Sequence, residues 1–232
     1  MEWREQAARL RELLDLAGQP IAVTYTNEDA PGPREKISIC AALLRAAQGD
    51  SFIIEPENSA CPGGTWHCGL KEPVAGSAKR GLQWYLTQGE KLTSSIVTFE
   101  RMTKLTSPPP TGLAERILLG PAAKAEMRPD LVVFLCNPAQ ACRIITLDAY
   151  WDGVPARWES AGSLCHTVIS YPLSSGQSNL SLGDYTARHH QGFADDVVFV
   201  TVPYERLASL IAAIPTCSAG TAETLPPPRM QD

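Results

Sequence analysis

Two short runs constrain this chain more than anything else in it. Residues 131–136 read Leu-Val-Val-Phe-Leu-Cys and residues 197–202 read Val-Val-Phe-Val-Thr-Val. A strand that is apolar at successive positions has no face to offer water, so it must be covered on both sides. Runs of six residues are far too short to cross a bilayer, which needs about 20. The two runs therefore predict a sheet buried between helical layers, an α/β architecture.

The rest of the chain supplies matching pieces. Residues 2–17 carry Trp3, Ala7, Leu10, Leu14 and Ala17 at helical spacing, and Gly18 with Pro20 stops the run. Residues 21–25 and 51–55 read as short strands around a helix over 37–48 that Gly49 closes. A helix is predicted over 77–88, and residues 95–100 fit either a strand or a helix edge. Pro108-Pro109-Pro110 is a stiff connector. Residues 117–119 suggest a strand, 138–151 a helix started by Asn137-Pro138, and 156–159 another strand. Residues 172–183 read as a Ser/Gly/Asn-rich loop, 204–214 as a closing helix, and residues from 216 onward as a Pro-rich mobile tail.

This order contains a faint repetition: strand, helix with a cysteine, strand, Gly-containing turn with a cysteine. It runs once over about 20–70, with Cys40 and Cys61, and again over about 130–170, with Cys142 and Cys165. The expectation is one α/β domain over 1–215, built of two pseudo-symmetric strand-helix-strand halves sharing a mixed central sheet.

The net charge of -5 argues against a general nucleic-acid binder, which would present a basic stripe. The opening residues do not resemble a secretory leader and no apolar run is long enough for a membrane span, so a cytoplasmic protein is expected. In a reducing compartment, seven cysteines read as thiols, ligands or core residues rather than disulfides.

The densest chemistry lies at Cys61-Pro62-Gly63-Gly64-Thr65-Trp66-His67-Cys68. The glycines let backbone N–H groups turn inward, as bound sulfide, thiolate or an anion requires. The spacing matches neither a zinc C-x-x-C pair nor the compact ferredoxin run, and a tight turn with incidental thiols is the plain alternative. Cys40, in the first helical turn, gains from the helix dipole. Cys136 reads as core, and the repetition favours Cys165 as a ligand. Arg188 can grip a carboxylate or phosphate with its planar fork, and His189 or His190 can move a proton. Nucleotide-loop, zinc-protease and serine-hydrolase motifs do not occur.

Several of these segments together resemble the domain-of-unknown-function family 169. They are Pro20-Ile21-Ala22-Val23, Cys40, Cys61-Pro62-Gly63-Gly64, Gly69-Leu70, Pro129 through Val133, Asn137-Pro138-Ala139-Gln140-Ala141, Cys165, Ser181-Leu182-Gly183, Arg188 and Val198 through Tyr204 with Leu207. The likeness spans roughly residues 8–214. It implies matching thiols at Cys40, Cys61 and Cys165, and a fourth cysteine commonly after the late Leu-Gly, where this chain has Asp184.

The leading expectation is an iron–sulfur protein with a [4Fe-4S] cluster held by Cys40, Cys61 and Cys165. Asp184 is the fourth ligand and Cys68 the alternative. A labile corner of that kind suits an enzyme, of lyase or reductase type, acting on a small anionic molecule, with Arg188 and His189 positioning it and a redox partner supplying electrons. Two other classes stand beside it. One is a metal-free or zinc-stabilised module that binds a small ligand or a partner protein. The other is a thiol enzyme with Cys61 or Cys68 as nucleophile and His67 as base.

Overall fold

A computed structural model describes residues 2–72, 85–106, 109–160 and 162–221. Six strands form one sheet: β1 (Ile21–Thr26), β2 (Phe52–Ile54), β3 (Arg116–Pro121), β4 (Leu131–Cys136), β5 (Asn179–Ser181) and β6 (Val198–Pro203). Their order is β2-β3-β1-β4-β6-β5. Every ladder is antiparallel, narrower than the mixed sheet expected. Among the described residues, parallel pairing occurs only at the isolated bridges Ile37–Ser59 and Arg157–Asn179.

Registers follow from the alternation along each strand. On β4, Leu131 and Val133 face one core while Val132, Phe134 and Cys136 face the other. β1 pairs with β4 at Ile21↔Val133, Ala22↔Val132 and Val23↔Leu131. β3 lies against β1 from Ile21↔Pro121 to Thr26↔Arg116, and β6 against β4 from Leu131↔Pro203 to Cys136↔Val198. The outer strands are short: β2 runs Phe52↔Leu119 to Ile54↔Ile117, and β5 runs Asn179↔Thr201 to Ser181↔Phe199.

Helices cover both faces, as the two apolar runs require. On one face lie α2 (Ile39–Gln48), α3 (Pro62–His67), the helical stretch 164–175, which ends in α6 (Tyr171–Ser175), and α7 (Tyr185–Gln191). The other face is closed by α1 (Glu2–Leu13), α5 (Pro138–Asp148) and α8 (Tyr204–Ala213). α4 (Ile96–Thr106) contributes to neither core, although its Phe99 is buried. α5 starts on a full capping box: Asn137 Oδ1 accepts from Gln140 N at 2.9 Å, and Gln140 Oε1 accepts from Asn137 N at 2.8 Å. α2 stops at Gly49, whose φ of 118° is open to glycine at little cost.

Several expectations change. Of the two readings left open for residues 95–100, the helix holds from Ile96, the first residue of α4. Residues 156–159 form no strand; Arg157 makes one bridge to Asn179. The polar stretch 172–183 contains the end of a helix and strand β5. Cys217 is buried against the α1–α5–α8 core and starts a last turn of helix, α9 (Ser218–Thr221), where a mobile tail is predicted. Most of the helix predicted over 77–88, the first residue of the Pro108-Pro109-Pro110 connector and the chain beyond residue 221 lie outside the described residues. Among the described residues, no helix is long and apolar enough to cross a membrane.

Candidate metal centre

Three segments deliver four thiols to the α2–α3 face of the sheet. Cys40 is the second residue of α2, whose N-cap Ser38 accepts from Ala41 N through its hydroxyl at 3.2 Å. Cys165 sits at the start of the stretch 164–175, where Ser163 Oγ accepts from His166 N at 3.3 Å. The two sulfurs, 125 residues apart in sequence, lie 3.9 Å from each other. Cys61 is the N-cap of α3, and its sulfur accepts from Gly64 N at 3.3 Å. Gly64 is what lets Cys165 approach: a methyl group there would stand 3.3 Å from the Cys165 sulfur. Cys68 closes α3 and is wholly buried.

Asp184 is the N-cap of α7. Its Oδ1 accepts from Ala187 N at 2.7 Å and its Oδ2 from Leu164 N at 2.5 Å, so the carboxylate joins α7 to the residue preceding Cys165. The preceding Gly183 has φ 74°, and a methyl group there would meet Phe199 at 3.0 Å.

Electrostatics tie these groups into one set. Contact with the Cys165 sulfur, then burial, then the charges of Cys165 and Asp184 push the Cys40 thiol well above its ordinary value. Burial is the main cause at Cys61, with Cys40 and Asp184 adding to it. At Cys165 the contact with Cys40 pulls downward, but contact with Cys68, burial and the charges of Cys68 and Cys61 outweigh it. Tyr25, half-buried against this cluster, donates to the Cys68 carbonyl at 3.1 Å, and its own pKa is raised by burial and by Cys68. Thiols held protonated in this way would release their protons on binding a cation. A nucleophilic Cys61 would need the opposite shift.

Two imidazoles flank the thiols. His67 and His166 are both buried, with ring centroids 6.1 Å apart, in a row that runs Trp66, His67, His166, Tyr171. Burial lowers the pKa of His67 to about 4, and it lowers that of His166 as well. Nδ1 of each ring has no hydrogen-bond partner among the described residues. The sequence gives His67 away by its place in the Cys61 motif. His166 passed unmarked there, although it follows Cys165 directly.

The residues expected to grip a substrate are engaged elsewhere. Arg188 donates to the carbonyls of Leu182 at 2.8 Å, Ala194 at 3.1 Å and Val197, which closes the short link from α7 to β6. His189 is exposed and stacks on Tyr185, while His190 bonds Glu90 at 2.6 Å. Cys136 is core and Cys142 is exposed on α5, on the opposite side of the sheet from the other thiols. A cavity of about 510 Å³ opens beside Leu70, but Glu55, Glu57 and Glu115 line it. Its Arg116 is already paired with Glu55 and Glu115, so the cavity does not suit an anion.

The sequence profile of DUF169, described as "Uncharacterised ArCR", matches residues 9–213. The chain belongs to the DUF169 family. It is also similar to "Uncharacterized protein MJ0308" of Methanocaldococcus jannaschii, at 27% identity over 96 residues, which is 40% of this chain and 41% of that protein. The chain thus spans less than half the length of that curated relative. No solved structure matches. DUF169 membership carries no described activity, so the chemistry of this member is read from its thiol site.

Among the described residues, no three His, Cys, Asp or Glu side chains converge closely enough to hold a single metal ion. A multi-iron cluster is a larger object whose thiolates need not share one ion. The donors are of the kind such a group takes: three thiols from separate segments and a carboxylate, with Gly64 keeping side-chain bulk away from the Cys165 sulfur.

Proposed function

We propose that the protein is a cytoplasmic iron–sulfur protein whose [4Fe-4S] cluster is held by Cys40, Cys61 and Cys165, with a fourth corner that is not an ordinary thiolate. The observation that carries this is the gathering of Cys40, Cys165 and the glycine-backed Cys61 cap on one face of the sheet, from segments far apart in sequence. The Cys40 and Cys165 sulfurs, 3.9 Å apart, would separate to reach different irons. Raised thiol pKa values agree with it, because several buried thiolates so close together are disfavoured until a cation is present to balance them. A harder oxygen ligand at one iron leaves that corner exchangeable, and a small anionic molecule is what a Lewis-acidic iron there takes. An enzyme of lyase or reductase type, supplied with electrons by a redox partner in the second case, follows from that chemistry.

A zinc site is the second reading. Its support is the same 3.9 Å, close to the edge of about 3.8 Å in a tetrahedron with Zn–S near 2.3 Å. The lack of a third described ligand at that spacing counts against it. Anaerobic purification followed by iron, zinc and acid-labile sulfide analysis decides between them. Brown protein with iron and sulfide in equal amounts is expected. Folded, colourless protein free of iron and sulfide overturns the proposal.

A further inference from the structure

The strand registers carry an inference about the fourth corner, and it rests on the thiol site being a metal centre. The two halves of the sheet superpose ladder by ladder. Ile21↔Pro121 through Thr26↔Arg116 has its counterpart in Leu131↔Pro203 through Cys136↔Val198. The short ladder Phe52↔Leu119 to Ile54↔Ile117 repeats as Asn179↔Thr201 to Ser181↔Phe199. In the same frame Leu119 corresponds to Thr201 and Ile117 to Phe199, so both ladders agree on one residue offset between β3 and β6. The Ala122 N to Pro20 O bond of 2.7 Å recurs as Tyr204 N to Asp130 O at 2.8 Å. The central pairs Ile21↔Val133 and Val23↔Leu131 exchange with each other under the same correspondence, which centres a two-fold axis on Ala22↔Val132, normal to the sheet.

An axis normal to the sheet keeps each helix on its own face. The partner of α2 is therefore the stretch 164–175, which shares its face, and not α5, which lies on the other. Cys40 then corresponds to Cys165, each two residues after a serine that caps the turn at 3.2 or 3.3 Å. α3 corresponds to α7. Their N-caps, Cys61 and Asp184, each accept from the backbone N–H three residues on, at 3.3 and 2.7 Å. Cys68 closes α3 where Gly192 closes α7, so it has no liganding counterpart.

We infer that the metal centre is a two-fold assembly in which Cys40 and Cys165 form the axial pair and Cys61 and Asp184 the flanking pair. Asp184 is thus the fourth ligand and the sole hard corner, and Cys68 stands outside the set. The exchangeable position lies on the α7 side.

The test uses the full chain, reconstituted anaerobically with iron and sulfide, and reads iron and acid-labile sulfide per chain together with the rate at which a chelator removes the iron. Asp184→Cys should load as the wild type does and lose iron several-fold more slowly, because a thiolate replaces the hard, exchangeable corner. Asp184→Asn, which keeps the cap, should lose iron faster than the wild type. Cys68→Ser should load and lose iron as the wild type does. Loading that collapses in Cys68→Ser while Asp184→Asn behaves as the wild type overturns the assignment. Should Asp184→Cys fail to fold, equal iron loss in wild type and Asp184→Asn overturns it instead. Wild type that takes up no iron and sulfide overturns the cluster reading itself, whereas uptake with equal loss rates in every variant overturns the corner alone.

Discussion

The halves of the sheet share a backbone plan and differ in what fills it. In the first half the cap of the short helix is a thiol followed by Pro62-Gly63-Gly64, and the link from α3 to β3 is long enough to hold α4. In the second half the cap is a carboxylate, and Gln191 to Val198 is crossed in a few residues. The same position in the two short helices does different tethering work. Thr65 Oγ1 donates to the Cys61 carbonyl at 3.0 Å, while Arg188 reaches three carbonyls on either side of α7. One half is built around small residues that admit a neighbour's sulfur. The other is built around charge that holds its own loop. A site that draws thiols from both halves and one replaceable oxygen can be obtained from that asymmetry without altering the strands.

The largest expected effect breaks the pair on the axis. Cys165→Ser removes the sulfur that the opposite half places 3.9 Å from Cys40. Iron and sulfide after anaerobic reconstitution should fall to background, while circular dichroism stays that of the wild type. Loading that survives at the wild-type level would show that the contact is packing.

Next comes the response of the metal-free protein to acid. His67 has a folded pKa of about 4 and an ordinary unfolded value near 6.5. A base depressed on folding costs nothing above the unfolded value and destabilises as the pH falls, because the unfolded chain takes the proton first. Urea denaturation between pH 7 and pH 4 should therefore show a loss of about 3 kcal/mol from this residue. The buried His166 contributes in the same direction. His67→Gln should flatten the profile; an unchanged slope would mean that the ring is not held neutral by burial.

Arg188 tests the second half's own device. Arg188→Ala strands the carbonyls of Leu182, Ala194 and Val197 and should cost about 2 kcal/mol. Arg188→Lys, with one compact donor group in place of a fork, should recover only part of it. A substrate-gripping arginine would instead leave the denaturation midpoint in place and alter turnover alone.

How far the sequence reveals this molecule depends on what buries each strand. Residues 131–136 and 197–202 announce themselves because both of their faces meet apolar layers. Asn179-Leu180-Ser181 does not, because its inward side chains are polar. Asn179 Nδ2 donates to Thr167 O at 2.8 Å and Ser181 Oγ to Thr167 Oγ1 at 2.8 Å, so the strand reads as loop. Cysteine spacing suggests a repetition that matches Cys40 with Cys142. The strand registers match it with Cys165, and the insertion of α5 is what hides this. The sequence of the cap Asp184 is silent for a related reason: a helix N-cap and a metal ligand draw on the same residue types.

The smallest effect sharpens the comparison most. Gly64 and Ala187 occupy matching places, three residues past Cys61 and Asp184, and each gives its N–H to the cap. Only the first faces a sulfur from the other half, 3.3 Å from where a methyl group would sit, with Ile39 at 3.6 Å behind it. Gly64→Ala gains helix propensity but must move the Cys165 sulfur by tenths of an ångström, so the net cost should be about 1 kcal/mol, with slower cluster assembly. Ala187→Gly should cost a similar amount of stability or more, through propensity and the loss of a buried methyl, and leave assembly unchanged. Equal assembly rates in the two variants would mean that closeness at Gly64 serves packing rather than the centre; a defect confined to Gly64→Ala locates the need for an empty Cβ on the thiol side of the axis.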